Sequence, residues 1–146
     1  MVFGTLLSLV FALFLSACSQ SQQQQQMNTH ATTGVAGKTV SFTFSQGTGV
    51  FAGFTGKTIV DTFAATGGTF TATSNIAGMA KHIGIFKEQF NASNNSDTLS
   101  VTHKSGKYAS MRYIANLNFN NNTFTLKGTF RGKPITASGS FQVMQK

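Results

Sequence analysis

Three runs near the C-terminus decide the fold: Met111-Arg112-Tyr113-Ile114-Ala115-Asn116-Leu117-Asn118-Phe119, Phe124-Thr125-Leu126-Lys127-Gly128-Thr129-Phe130, and Ile135-Thr136-Ala137-Ser138-Gly139-Ser140-Phe141-Gln142-Val143. In each, apolar or small residues alternate with polar ones. Met111, Tyr113, Ala115, Leu117 and Phe119 share one face, as do Phe124, Leu126, Gly128 and Phe130, and then Ile135, Ala137, Gly139, Phe141 and Val143. A period of two is that of a half-buried strand. The separators Asn120-Asn121-Asn122 and Gly132-Lys133-Pro134 are turn chemistry. Glycine at 128 and 139, on the inward face, relieves crowding where a small sheet bends.

Upstream the same period recurs. Leu99, Val101 and His103 alternate before a Ser105-Gly106 turn, and Val40, Phe42 and Phe44 alternate after Lys38. Val50 to Thr55 is expected to continue as a strand after Gly47-Thr48-Gly49, followed by Thr58 to Phe63 and a strand around Thr69 to Thr73. The middle differs. Ile76, Met79, Ala80, Ile83, Phe86 and Phe90 recur at three- and four-residue steps, with Ser74 or Asn75 as N-cap, and predict one amphipathic helix over roughly 75–91. The expectation is a mainly β domain: a small curved antiparallel sheet or barrel of about eight strands with one amphipathic helix, an α+β arrangement. Phe54-Thr55-Gly56-Lys57-Thr58-Ile59 is echoed by Phe130-Arg131-Gly132-Lys133-Pro134-Ile135. Either two related meanders flank the helix, or Gly-Lys turns simply recur.

The composition suits this. There are 15 Phe, 15 Gly and one Pro, with no Trp and two Tyr, a bias toward pleated, hairpin-rich structure. One cysteine, Cys18, excludes a disulfide within the chain and any cysteine-rich metal site. From Ser19 to about Gly37 the chain is polar, with the tract Gln22 to Gln26, and offers no apolar period. As a flexible tether of ~20 residues it would span ~25 Å r.m.s..

Before that tether, Val2 to Leu15 is an uncharged apolar run ending in Leu15-Ser16-Ala17-Cys18. It is shorter than the ~20 residues of a spanning helix and suits the core of a signal peptide. No Lys or Arg precedes it. The four residues resemble the lipobox of a bacterial lipoprotein. That resemblance implies cleavage before Cys18, acylation of Cys18, and a lipid anchor in the cell envelope. Ser19 and Gln20, in place of an Asp after the cysteine, imply the outer membrane by the same resemblance. The expected division is residues 1–17 as signal peptide, 18–37 as lipidated tether and 38–146 as β-rich domain.

A second resemblance covers about residues 40–113. Phe42-Thr43-Phe44, Gly53-Phe54-Thr55-Gly56-Lys57, Gly68-Thr69-Phe70, Ile76-Ala77-Gly78-Met79, an expected Glu88-bearing helix and Leu99-Ser100-Val101 are similar to META-domain lipoproteins of the heat-shock HslJ type. The chain departs from them at Lys57-Thr58, where that family carries Cys-Asn. The resemblance implies a small β-rich envelope protein linked to stress tolerance and assigns no catalytic residue.

Enzyme chemistry is thinly represented. The acids are Asp61, Glu88 and Asp97. Asp61 and Glu88 could form a carboxylate pair, although no motif joins them, and Asp97, beside Ser96 and the Asn run, is expected in a turn. His82 and His103 could share a site, yet zinc wants three or more protein ligands; surface or packing roles are the ordinary expectation. No nucleophile elbow, phosphate loop or dinucleotide motif is present. No catalytic residue, metal or cofactor is therefore expected.

Charge is the remaining clue. Eleven basic and three acidic residues give a formal +8, and all three acids lie at or before Asp97. Arg112, Arg131, Lys133, Lys57 and Lys127 are the candidate anion-binding residues. The arginines can grip phosphate bidentately, and Lys57 and Lys133 sit at equivalent turn tips. Outward lysines also discourage edge pairing. Candidate partners are the membrane itself, through the anchor, and an anionic lipid, lipopolysaccharide or acidic protein. Nucleic acid is not expected, since no aromatic-basic recognition motif appears. Three functions stay open: an envelope lipoprotein binding an anionic component or supporting stress tolerance; a surface-displayed binder of a host or competitor macromolecule; and a calycin-like carrier of an apolar ligand.

Overall fold

The computed structural model describes residues 33–74, 76 and 81–144. The lipobox with Cys18, most of the proposed tether, Met79, Ala80 and Lys146 lie outside these residues. Eight strands run in order: β1 (Thr39–Gly47), β2 (Thr58–Phe63), β3 (Thr69–Ser74), β4 (His82–Asn91), β5 (Ser96–His103), β6 (Arg112–Asn118), β7 (Thr123–Phe130) and β8 (Lys133–Met144). Each pairs antiparallel with the next, and β1 pairs with β8, so the sheet closes into a barrel. The mainly β, eight-stranded barrel is as expected from the alternating runs.

Alternation places the large apolar residues inside. Phe42, Phe44, Phe63, Phe70, Phe86, Phe124 and Phe141 are buried, while Thr43, Thr58, Thr125 and Lys127 face outward. The rings interlock edge to face. Phe124 meets Phe42 and Phe44, each at a centroid distance of 5.3 Å, Phe63 meets Phe86 at 4.9 Å, and Phe119 meets Phe141 at 5.1 Å. Phenylalanine inside and hydroxyls outside invert the pattern of a membrane-spanning barrel, whose outward band must be apolar.

Two glycines make closure possible. A side chain at Gly128 would fall on the Arg112 carbonyl oxygen, and one at Gly139 on that of Thr43. Gly139 stands opposite Phe44, where a bulge at Ser45 shifts the β1–β8 register and bends the strand.

Two expectations are corrected. The segment expected as a helix over 75–91 is strand from His82 to Asn91, its N-terminal part lying outside the described residues. Its burial follows a period of two: His82, Gly84 and Phe86 point inward, Ile83 and Ile85 outward. Eight residue pairs with β5 and four with β3 outweigh a helical stripe that two glycines weaken by ~1 kcal/mol each. The stretch Val50 to Thr55 is a 3-10 helix, Gly49–Phe54, rather than a strand. Three residues per turn put Phe51 and Phe54 on one face, where both are buried and meet Phe44. This helix plugs one end of the barrel. It also removes the matched meanders: the similarity of the two Gly-Lys segments is confined to the turns, one following a 3-10 helix and the other closing the β7–β8 hairpin.

The globular part also begins earlier than Lys38. Val35, expected in the tether, has no exposed surface, and Lys38 donates its backbone N–H to the Val35 carbonyl at 3.0 Å.

Gly128→Ala is expected to lower stability by about 1–3 kcal/mol, because β6 and β7 must separate to admit the methyl group. Phe124→Ala should cost about 3–5 kcal/mol through the cavity it leaves. Denaturant unfolding measures both.

Candidate functional site

An up-and-down barrel has two ends, and this one distributes charge unequally between them. The β1–β2, β3–β4, β5–β6 and β7–β8 connections lie at the end plugged by the 3-10 helix. Lys57, Lys81, Lys104, Lys107, Arg112, Arg131 and Lys133 all stand on or beside these connections, and all are exposed. Four of the five predicted anion-binding residues are thus brought to one rim. The β7–β8 turn is tight, with Arg131 at φ 52° and Gly132 at φ 74°, the geometry of a two-residue hairpin. It holds the Arg131 guanidinium 5.0 Å from the Phe130 ring centroid.

Lys127 lies apart from the rim, outward on β7. It pairs with Ile114, and Arg112 with Thr129, so Lys127 and Arg112 are diagonal neighbours on the outer wall. They flank a shallow groove of about 370 Å³ lined also by Ser100, Thr102, Ile114 and Thr129.

Beneath the plug, inside the barrel, is a polar cluster that the sequence reading only partly anticipated. His82 and His103 do come together, as buried rings in edge-to-face contact at 4.9 Å. Tyr113, which strand alternation placed on the inward face, joins them through a 3.3 Å Oη–Nε2 hydrogen bond to His103. Asp61 lies within electrostatic reach of Tyr113. Asp61, His103 and Tyr113 share with aromatic and aliphatic neighbours a cavity of about 30 Å³, room for about one or two waters. Asp61 Oδ1, His103 Nδ1 and both ring nitrogens of His82 have no hydrogen-bond partner. Burial pushes Asp61 up to about 7. Burial, and secondarily His82, takes His103 down to about 4, and burial also lowers His82. Tyr113 is held well above its ordinary value by burial and then by Asp61. At neutral pH burial therefore favours the uncharged form of both histidines and partial protonation of Asp61.

The pairing of Asp61 with Glu88, which no motif supported, does not form. Glu88 instead meets Asp97 at the opposite end, and Asp97 is fully buried rather than a turn residue. The two carboxyls receive the incoming chain. Val35 N–H donates to Glu88 Oε1 and, at 3.2 Å, to Asp97 Oδ2, and Ala36 N–H donates to Glu88 Oε1 at 3.1 Å. Burial, then the hydrogen bond and charge of Glu88, raise the Asp97 pKa, while the N–H groups of Val35 and Gln89 oppose the rise. Burial lowers Lys38 beside them, with Glu88 and Asp97 acting against it. The inward phase of β4 and β5 was the available signal for this pair; the Asn-rich turn beside Asp97 masked it. Among the described residues, no group of three or more His, Cys, Asp or Glu side chains could hold a metal.

The arrangement supplies a cationic rim and a buried interior that favours the uncharged forms of its ionisable side chains. Because Asp61 and Asp97 bind protons more tightly folded than unfolded, their stabilisation is present at acid pH and is lost as pH rises through about 7. His103 acts oppositely, its contribution fading as pH falls from 6.5 toward about 4. The aspartate contribution should therefore decline between about pH 4 and about pH 7, by on the order of 1 kcal/mol per pH unit for Asp61 alone, with His103 opposing it below about pH 6.5. Asp61→Asn should flatten that decline; an unchanged slope in chemical unfolding would refute the assignment.

Comparison with protein-family models, with curated proteins and with solved structures finds no match to this chain, so its functional reading rests on this geometry.

Proposed function

We propose that this is a non-catalytic, lipid-anchored module of the bacterial cell envelope, held at the outer membrane through Cys18, whose cationic barrel rim binds an anionic envelope component or supports envelope stress tolerance. One observation carries the binding part: seven basic side chains gather at one end, while Asp61 is sealed inside and Glu88 and Asp97 are turned to the other. A rim with no opposing carboxylate attracts phosphate, sulfate or carboxylate groups over several ångströms. The lipobox resemblance supports the anchor, and the META-like segments support the link to stress tolerance.

The interior argues for binding on the outside rather than catalysis or transport within. A cavity of about 30 Å³ is far below the ~300–1,000 Å³ of small-molecule pockets. A carrier role would require Phe51 and Phe54 to leave the barrel. Display on the cell surface, with an acidic host or competitor macromolecule as partner, uses the same rim and differs only in which side of the membrane the barrel faces. Protease shaving of intact cells separates the two: loss of the barrel means display, protection means a periplasmic domain.

Replacing Lys57, Arg131 and Lys133 by Glu lowers the formal charge from +8 to +2. Retention on a heparin column should fall sharply and lose most of its salt dependence while the thermal midpoint stays close to that of the parent; undiminished retention would sink the rim. Cys18→Ser should accumulate unprocessed chain without incorporated lipid label, and normal labelling would remove the anchor from the proposal.

A further inference from the structure

The outer wall of β4, β5 and β6 carries a feature that the rim does not explain. The exposed large apolar residues among those described are Ile83, Ile85, Ile114 and Met144. Three of them lie on this one wall, at 48 %, 42 % and 50 % exposure. Register places them on one patch, Ile83 and Ile85 on β4 and Ile114 two strands across on β6. Ile85 stands opposite Thr102, which stands opposite Arg112; one row further from the rim, Ser100 stands opposite Ile114, which faces Lys127. Lys81, Lys87 and Lys104 border the same strip, and the nearest carboxylate, Glu88, is turned toward Val35. Between Arg112, Lys127 and Ile114 lies the groove of about 370 Å³, with the hydroxyls of Ser100, Thr102 and Thr129 on its walls.

We propose that this wall is a membrane-docking face that lies on an anionic phospholipid bilayer, the three isoleucines entering the headgroup–acyl boundary and Arg112 with Lys127 holding a lipid phosphate in the groove. The inference rests on the anionic-envelope reading and gives it a specific ligand. Aliphatic side chains ringed by cations match the two attractions of a peripheral membrane protein, apolar burial and charge. The other occupants fit less well. A second copy would set cations against cations. An extended peptide would need a free strand edge, and β4, β5 and β6 are all paired on both sides within the closed barrel. An acidic protein would satisfy the lysines but has no evident use for three protruding isoleucines on a convex wall.

The chain's one cysteine permits a direct test. In the Cys18→Ser background, Ile114→Cys and, on the far wall, Gln142→Cys each carry a single polarity-sensitive fluorophore. With phosphatidylglycerol vesicles, the label at 114 should shift to the blue while the label at 142 does not. Phosphatidylcholine vesicles and soluble glycerol phosphate should produce no shift at either. A triple change of Ile83, Ile85 and Ile114 to Ser should weaken binding to phosphatidylglycerol vesicles by about tenfold or more and leave heparin retention as it was. Equal shifts at both positions, or none at 114, would overturn the docking face. If heparin retention survives that result, the rim stands and an acidic macromolecule is its partner; if retention is also absent, the anionic reading itself falls.

Discussion

Everything in this barrel depends on filling its interior with phenylalanine. Eight short strands close on themselves only if their inward residues fill the space they enclose, and the sole cysteine leaves no disulfide to assist. Phe51 and Phe54 from the 3-10 helix extend the column of rings to Phe44, Phe124, Phe42 and Phe141. A second path runs from Phe63 through Phe70, His103 and His82 to Tyr108 and back to Phe54. Aromatic pairs of this kind contribute roughly 0.5–1.5 kcal/mol each beyond their buried area. The column leaves almost no void, so the interior holds polar groups at the cost of desolvating them. That is why Asp61 and His103 depart so far from their ordinary protonation.

Strands whose two faces differ in polarity were legible in the sequence, since alternation alone identifies them. β1 and β5 to β8 read correctly on that basis, and β2 and β3 from the glycine turns, Gly56-Lys57 and Gly67-Gly68, that precede them. β4 did not, because two of its outward positions, Ile83 and Ile85, are apolar. Ile83 and Ile85 beside Phe86 and Phe90 produce helical spacings by coincidence, and only the hydrogen-bond ladders to β3 and β5 decide the matter. The 3-10 plug was missed because it is only six residues long, Gly49–Phe54, too short for the three-residue step from Phe51 to Phe54 to stand out as a period. Of the candidate site, the C-terminal excess of cations was visible, but not that connections at one end would gather them. The burial of Asp97 was hidden by neighbouring turn residues, and the role of Val35 by the polar context of the segment leading to it.

The same inward–outward division sets the electrostatics. All three carboxyl groups are withdrawn from the exposed surface to some degree, Asp61 and Asp97 fully and Glu88 in part. Burial favours protonation of Asp61, and burial together with neighbouring Glu88 favours that of Asp97. The exterior therefore presents a field stronger than the formal charge suggests, with lysine and arginine set among threonine and asparagine. Hydroxyl pairs such as Thr43–Thr58 at 2.9 Å and Thr48–Thr136 at 2.8 Å add no charge to offset it. Partner choice is consequently a question of where cations meet other chemistry, and among the described residues the β4–β6 wall is where large exposed aliphatic side chains join them.

The point at which the chain enters the barrel links the two surfaces. Val35 and Ala36 are clamped by Glu88 and Asp97 at the end opposite the cationic rim. A chain anchored upstream of that clamp would, standing upright, hold its base toward the anchoring membrane and its rim away from it. The β4–β6 wall meets that membrane only when the barrel lies on its side, and a flexible tether between Cys18 and Val35, as proposed, would permit either posture. Rim and wall are thus alternatives in orientation as well as in chemistry. Contact through the isoleucines swings the rim toward the membrane plane, whereas a partner on the rim favours the upright barrel and lifts the wall from the lipid. Competition between the two for one tethered domain is the expected consequence of placing the entry clamp and the cations at opposite ends.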